Sequence, residues 1–426
     1  MTSPWATVPP RADPVREPRH AVILSGGGAT GAYEVGVLKA LLNGASPATG
    51  HAPILPVSCA GTSVGSFNAA FLVSWLDRFG PAVADQLQSV WLGRLCETGW
   101  SGGVNGVYRF RFNPLAFADP SYYAPNPLRP ILDALRDGAF LFRDGLIRLA
   151  SLADLNDDLR QRLANLVDFA AFVTTEPFRD TIRDTVDFAR IRLAATKLRI
   201  PATNWNTGRL TVFTNGEMTD DVGPLAVLAS SAMPGIFPPV YIGAEPHLDG
   251  GVLMNTPLRL VTRHAEVLHV VYLDPDVSRI PNRALQSTLS TAYRQQVIAW
   301  AKAMNDDLED AAAINRVIAL KQRLERGEDP GPPDPDLEAR GIGSLLERLE
   351  RREPPYRKLT IHRYHPRDDL TGGPLGLLRL EAAFLRRLID RGYSDTVEHD
   401  CAVSGCIGVG DGPSREERAD AARPLL

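Results

Sequence analysis

Apolar positions first gather at Ala21–Leu24, four in a row, and stop at Gly26, Gly27 and Gly28. A run so short and uninterrupted reads as a buried strand. After Gly31 the period changes. Val35, Leu38, Leu41 and Leu42 recur at helical spacing, which predicts a helix over Ala32–Leu42. The same succession then repeats, with a strand expected around Val57–Ala60, a glycine turn at Gly61, and a helix from about Val64. Two strand–turn–helix units in a row predict parallel strands with crossover helices, hence an α/β sheet covered on both faces.

Residues 101–170 interrupt this pattern with an aromatic, Pro/Gly-rich stretch followed by two helical stripes. One stripe uses Phe142, Leu146, Leu149 and Leu152. The other uses Leu155, Leu159, Leu163 and Leu166, with Ser151 and Asp154 spaced as a capping box. This insertion is either a cap that buries its stripes against the core or a lid that offers them to a lipid surface. Strand composition resumes in "IRLAATKL" and "LTVFTN", a hairpin around "NWNTGR", and in the buried strand "VLHVVYLDP". A long helical excursion over about 285–353, a strand at "KLTIHRYHP" and a last helix "LGLLRLEAAFLRRLIDRGY" complete the pattern. The expected organisation is a disordered arm over 1–19, one catalytic domain over 20–398, and a flexible tail over 399–426.

Composition narrows the class without naming the chemistry. Hydrophobic residues make up 44% and charged residues 23% of 426 positions, the balance of a soluble globular chain with a sizeable core. A net charge of -4 and the lack of a basic run speak against nucleic acid as a partner. The Pro-rich amino terminus has no apolar h-region, and no later run approaches a membrane span. The cytoplasm is therefore the default compartment, with signal-less secretion left open and peripheral membrane contact allowed. Four cysteines point to a reduced protein with no required disulfide. Cys401 and Cys406 have only His399 nearby, which falls short of a metal ligand set, so no metal is expected.

The chemistry begins at Gly61-Thr62-Ser63-Val64-Gly65, a G-x-S-x-G between a predicted strand and a predicted helix. At such a turn, small neighbours let a serine side chain project clear of the backbone, close to the positive end of the helix. Gly26-x-Gly28-x-x-Gly31 matches the dinucleotide-binding spacing, yet no Asp or Glu lies between Glu34 and Asp77 to hold a ribose. The same glycine turn, opening a helix, presents backbone N–H groups equally well to a tetrahedral oxyanion. A base is harder to find. None of the eight histidines announces itself, whereas Asp249-Gly250-Gly251, followed by Asn255 and Pro257, stands out. A Ser-His-Asp esterase and a non-catalytic lipid-binding chain remain the alternatives.

Taken together and in order, these motifs resemble the patatin-like phospholipase family, over roughly residues 20–275 and more faintly over 355–395. "ATNWNTGRLTVFTN" and "ASSAMPGIFPPV" extend the likeness. The resemblance implies a three-layer α/β/α fold with a mainly parallel central sheet and a helical insertion. It also implies a Ser63–Asp249 dyad, an oxyanion hole at Gly26, Gly27 and Gly28, and supporting roles for Gly31, Gly61, Gly65, Gly250 and Gly251. The implied activity is lipid acyl hydrolysis through an acyl-serine, on a lipid or phospholipid substrate and without a cofactor. Where relatives often carry Arg or Lys after the glycine triplet, this chain has the neutral Thr30.

Overall fold

The computed structural model describes residues 18–97, 105–111, 113, 119–120, 124, 127–151, 169–274, 288–329, 331–341, 357–371 and 374–408. Its strands are β1 (His20–Leu24), β2 (Ser58–Gly61), β3 (Arg109–Phe110), β4 (Val173–Thr174), β5 (Lys197–Asn204), β6 (Arg209–Thr214), β7 (Val240–Ile242), β8 (Glu245–Asp249), β9 (Val267–Val271) and β10 (Thr360–Tyr364). The helices are α1 (Ala32–Leu42), α2 (Val64–Phe79), α3 (Val83–Val90), α4 (Arg129–Ser151), α5 (Glu176–Thr185), α6 (Phe188–Leu193), α7 (Val222–Ser230), α8 (Thr288–Glu325), α9 (Pro335–Ala339), α10 (Ala382–Val397) and α11 (Cys401–Ser404).

The main sheet runs β10-β9-β1-β2-β5-β8-β7, with β6 also paired to β5. From β10 through β5 all neighbours are parallel, and the antiparallel pairs are confined to β6, β7 and β8. Alternation along β1 sorts the two faces. Val22 and Leu24 join a core with Val35, Leu38, Phe67 and Leu385, from α1, α2 and α10. Ala21 and Ile23 join Leu268, Val270, Met304 and Leu308, the last two from α8. The result is the mainly parallel sheet between helical layers expected of the three-layer α/β/α fold. Helices α1 and α10 meet at glycines: a Cβ on Gly36 would lie 1.9 Å from the Ile389 carbonyl oxygen, and one on Gly392 2.0 Å from that of Tyr33.

Three differences from the sequence reading have local causes. "IRLAATKL" is mostly not strand, because Asp187 caps the Arg190 N–H and starts helix α6, so β5 begins at Lys197. The hairpin itself is in place, with Asn204 opposite Arg209. Phe142, Leu146 and Leu149 do not bury their stripe, being 71%, 52% and 61% exposed on α4. Leu152 and the second stripe, with its capping residue Asp154, lie outside the described residues. Finally, residues 399–408 are not a loose tail. Asp400 caps α11, Gly405 turns the chain back at a φ of 65°, and Ile407 bridges Ile361 on the edge strand β10. Among the described residues, no helix is long and apolar enough to cross a membrane.

Candidate active site

The site forms where β1, β2 and β8 end. At the end of β2 the chain turns sharply into α2, and Ser63 adopts a φ of 54°, a left-handed conformation that costs a non-glycine residue energy. The flanking glycines make the turn sterically possible. A Cβ on Gly61 would sit 2.0 Å from the Gly65 carbonyl oxygen, and one on Gly65 2.7 Å from that of Leu24. Gly31 leaves room for the Val64 side chain, 2.5 Å from where its own Cβ would be. The Ser63 N–H donates to Ser230 Oγ at 3.1 Å, an anchor on α7 that sequence spacing gave no way to foresee. The Thr62 hydroxyl donates to the Met254 carbonyl at 2.9 Å and ties the elbow to the loop after β8.

Asp249 ends β8, paired in register with Ala202 of β5, and is 4% exposed. Its Oδ1 accepts the Gly251 N–H at 2.7 Å, while Oδ2 makes no hydrogen bond in this conformation. Burial pushes its pKa up to about 7. The Gly251 N–H and the nearby Ser63 hydroxyl pull it partway back. Gly250 permits the close turn, since its Cβ would lie 2.3 Å from the Pro201 carbonyl oxygen. Trp300 of α8 donates its indole N–H to the Gly251 carbonyl, a role for the long helix that the sequence did not reveal.

The glycine loop lies against Ser63 and Asn255. A Cβ on Gly26 would be 2.9 Å from Ser63 Cβ and 2.4 Å from Asn255 Oδ1, so the loop rests on the serine side chain. Gly26 and Asn255 clasp each other: the Gly26 N–H donates to the Asn255 carbonyl at 3.2 Å and Asn255 Nδ2 donates back to the Gly26 carbonyl at 3.3 Å. That N–H is therefore spent on the fold, which corrects the expectation that all three glycines offer donors. Gly27 and Gly28 stand at the start of a 3-10 turn, where N–H groups have no partner within the turn. Gly28 has a φ of 58°, and the Leu377 carbonyl oxygen would lie 2.4 Å from a Cβ there. The neutral Thr30 is buried and donates its hydroxyl to the Gly27 carbonyl at 2.8 Å, so it shapes the loop.

Ser63 lines an apolar cleft with Trp91, Tyr108, Phe178, Met233 and Phe237 among others. Leu377, Leu378 and Leu380, from the segment before α10, close one wall. All eight histidines are among the described residues, and none lines the cleft. His247, on the same strand as Asp249, is engaged with Thr211 at 3.3 Å and the Glu245 carbonyl at 3.0 Å. His269 lies within the sheet between His20 and Tyr364.

Comparison with curated proteins finds no match. Among solved structures, VipD from Legionella pneumophila is a distant likeness: 16% identity over 88% of this chain and 67% of that one, with a TM-score of 0.31. A family model for patatin-like phospholipases matches residues 22–262, more than half of the chain, a span that contains the glycine loop, Ser63 and Asp249. The chain thus belongs to the patatin-like phospholipase family, a family of lipid hydrolases.

Proposed function

We propose that this protein hydrolyses a carboxylic ester of a phospholipid or lysophospholipid with Ser63 as nucleophile and Asp249 as its base. The observation that carries the reading is Ser63, on a strained elbow at the mouth of an apolar cleft, beside a buried carboxyl whose pKa is near 7. An ordinary aspartate, with a pKa of about 3.9, is a poor base for a hydroxyl, and burial without a cation removes that handicap. Asp249 takes the proton as Ser63 Oγ attacks the ester carbonyl. The N–H groups of Gly27 and Gly28 receive the oxyanion. Collapse expels the alcohol, which takes the proton from Asp249, and leaves an acyl-Ser63. Asp249 then deprotonates a water that attacks the acyl group, and Ser63 recovers its proton as the fatty acid leaves. The cleft takes the acyl chain, which needs apolar walls and no charge.

Helix α4 supports a peripheral contact with the lipid surface. The segment that lines the cleft with Val107 and Tyr108 continues through β3 to Arg109 and Arg111, and both arginines hold Asp137 of α4. The helix thereby turns Asp133 and Asp137 inward and leaves Ile131, Leu135, Phe142, Leu146 and Leu149 exposed. Exposed apolar area of this kind marks an interaction surface.

A fluorophosphonate probe is expected to label Ser63 stoichiometrically, with labelling lost in Ser63→Ala, and a screen of mono- and diacyl phospholipids is expected to find turnover. Full turnover by Ser63→Ala would overturn the reading. Loss of turnover on changing any single histidine to alanine, with Asp249 dispensable, would favour a histidine-based esterase instead.

A further inference from the structure

At the β10 edge of the described sheet, four side chains with metal-binding chemistry converge. His362 lies on the edge strand β10, and His399, Cys401 and Cys406 come from the turn around α11. Their donor atoms all lie within 4.8 Å of one another. Cys401 Sγ is 3.5 Å from His362 Nδ1 and 3.5 Å from His399 Nε2, and Cys406 Sγ is 3.3 Å from His399 Nε2. In a tetrahedral zinc site, with Zn–S near 2.3 Å and Zn–N near 2.0–2.1 Å, adjacent S and N donors are about 3.5 Å apart. The three measured separations match that edge.

The surroundings hold the donors in place. Asp400 accepts the N–H groups of Ala402 and Val403 and so sets the single turn that carries Cys401. Gly405, at a φ of 65°, swings Cys406 back toward the sheet, and the Ile361–Ile407 bridge fixes that return. The Arg363 backbone N–H points at Cys406 Sγ at 3.3 Å, a contact that favours a thiolate. His362 stacks on His269 at 5.3 Å, which orients its ring. His362, His399 and Cys406 are buried and Cys401 is half-buried. All four residues lie beyond the region matched by the family, which ends at 262.

We propose that His362, His399, Cys401 and Cys406 bind one zinc ion in a closed, structural Cys2His2 site. A set of two thiolates and two imidazoles with no open position suits tetrahedral zinc, and it does not suit calcium or magnesium. Binding forms two Zn–S and two Zn–N bonds and releases the two thiol protons to solvent. The ion pins the chain after α10 across the edge strand β10, closing an edge that otherwise offers unpaired backbone groups. The C-x4-C spacing and His399 were visible in the sequence. The fourth donor, His362, was not, because strand register alone brings it there.

Elemental analysis of the full chain, purified under reducing conditions, is expected to find about one zinc per chain. The Cys401→Ser, Cys406→Ser double variant should fall to background and melt at a lower Tm. After chelation, adding Co2+ to the unaltered protein should give intense tetrahedral d–d bands and a thiolate-to-cobalt charge-transfer band. Equal zinc in variant and parent would overturn the proposal, as would a weak octahedral cobalt spectrum. So would a metal-free protein with two thiols fewer than expected, because it would identify a Cys401–Cys406 disulfide. If the double variant does not fold, the cobalt spectrum of the unaltered chain decides.

Discussion

Asp249 and Asp137 are both buried aspartates, and their surroundings give them opposite work. Asp137, 1% exposed, is gripped by Arg109 through both terminal guanidinium nitrogens, at 2.7 and 3.0 Å, and by Arg111 at 3.2 Å. Asp249 has a single backbone N–H on one oxygen and, among the described residues, no cation, and burial lifts its pKa to about 7. Burial with two arginines makes a strut that fixes α4 to the cleft wall. Burial without one leaves a carboxyl that exchanges a proton near neutral pH. The neighbouring helices differ in the same way. Helix α1 buries every residue but Lys39, whereas α4 buries Asp133 and Asp137 and exposes Leu132, Leu135, Leu146 and Leu149. Buried ion pairs seldom outdo apolar packing as a source of stability. The inverted polarity of α4 therefore points to a job at a surface and not to the core.

The largest expected effect separates the two regions by chemistry. Ser63→Ala and Asp249→Asn should each lower kcat/KM by about 10³-fold or more, measured on a soluble short-chain ester as well as on vesicles. Asp137→Asn should leave the proposed Ser63–Asp249 pair intact. Comparable losses from Asp137→Asn and Asp249→Asn on the soluble ester would erase the distinction.

Stability should distinguish the same two isosteric changes by sign. Asp137→Asn removes the carboxylate that Arg109 and Arg111 share, with Asp133 still 3.7 Å from Arg109, and is expected to cost about 3 kcal/mol in denaturant unfolding. For Asp249 the folded-state pKa lies above the unfolded one, so the protonated carboxyl is favoured by folding. That contribution is present below about pH 4 and is lost as pH rises through about 7. Asp249→Asn removes the penalty and should stabilise the protein by about 2–4 kcal/mol at pH 8–9, with little gain at pH 4. Loss of stability at alkaline pH in that variant would show that Asp249 has a partner it lacks here. The parent enzyme's kcat/KM should rise with pH and level off above about 7, as Asp249 ionises.

Gly26→Ala tests how tightly the glycine loop rests on the serine. Its Cβ would meet Asn255 Oδ1 at 2.4 Å and Ser63 Cβ at 2.9 Å, so activity should fall by about 10²-fold on either substrate. The smallest effect is reserved for the surface of α4. Phe142→Glu with Leu146→Glu should lower turnover on phospholipid vesicles by about 10-fold and change the soluble ester by less than about 2-fold. An equal loss on both substrates would make α4 part of the cleft and not of the lipid contact.

Much of the site was legible locally. A glycine elbow around Ser63 and a glycine turn opening α1 are features of a few consecutive residues, where steric limits on the backbone act directly on residue type. Asp249 was visible as a motif, but its reactivity was not. Its proposed role as a base rests on burial with no cation bonded to it among the described residues, and nothing in the order of residues declares that. The same holds for Gly26, whose N–H is taken by an Asn255 carbonyl from a distant loop. The α4 stripe was legible as a helix, yet the periodicity of a stripe does not say which side faces the protein. Two arginines on a short strand decided that.

The order of apolar runs and glycines by itself determined the two opening strand–turn–helix units and the place of the serine, because those depend on local sterics and helical period. Tertiary structure alone decided which charges were paired, which helix faced outward, and that a histidine on β10 meets two cysteines after α10. Those outcomes depend on register and burial between segments far apart in the chain.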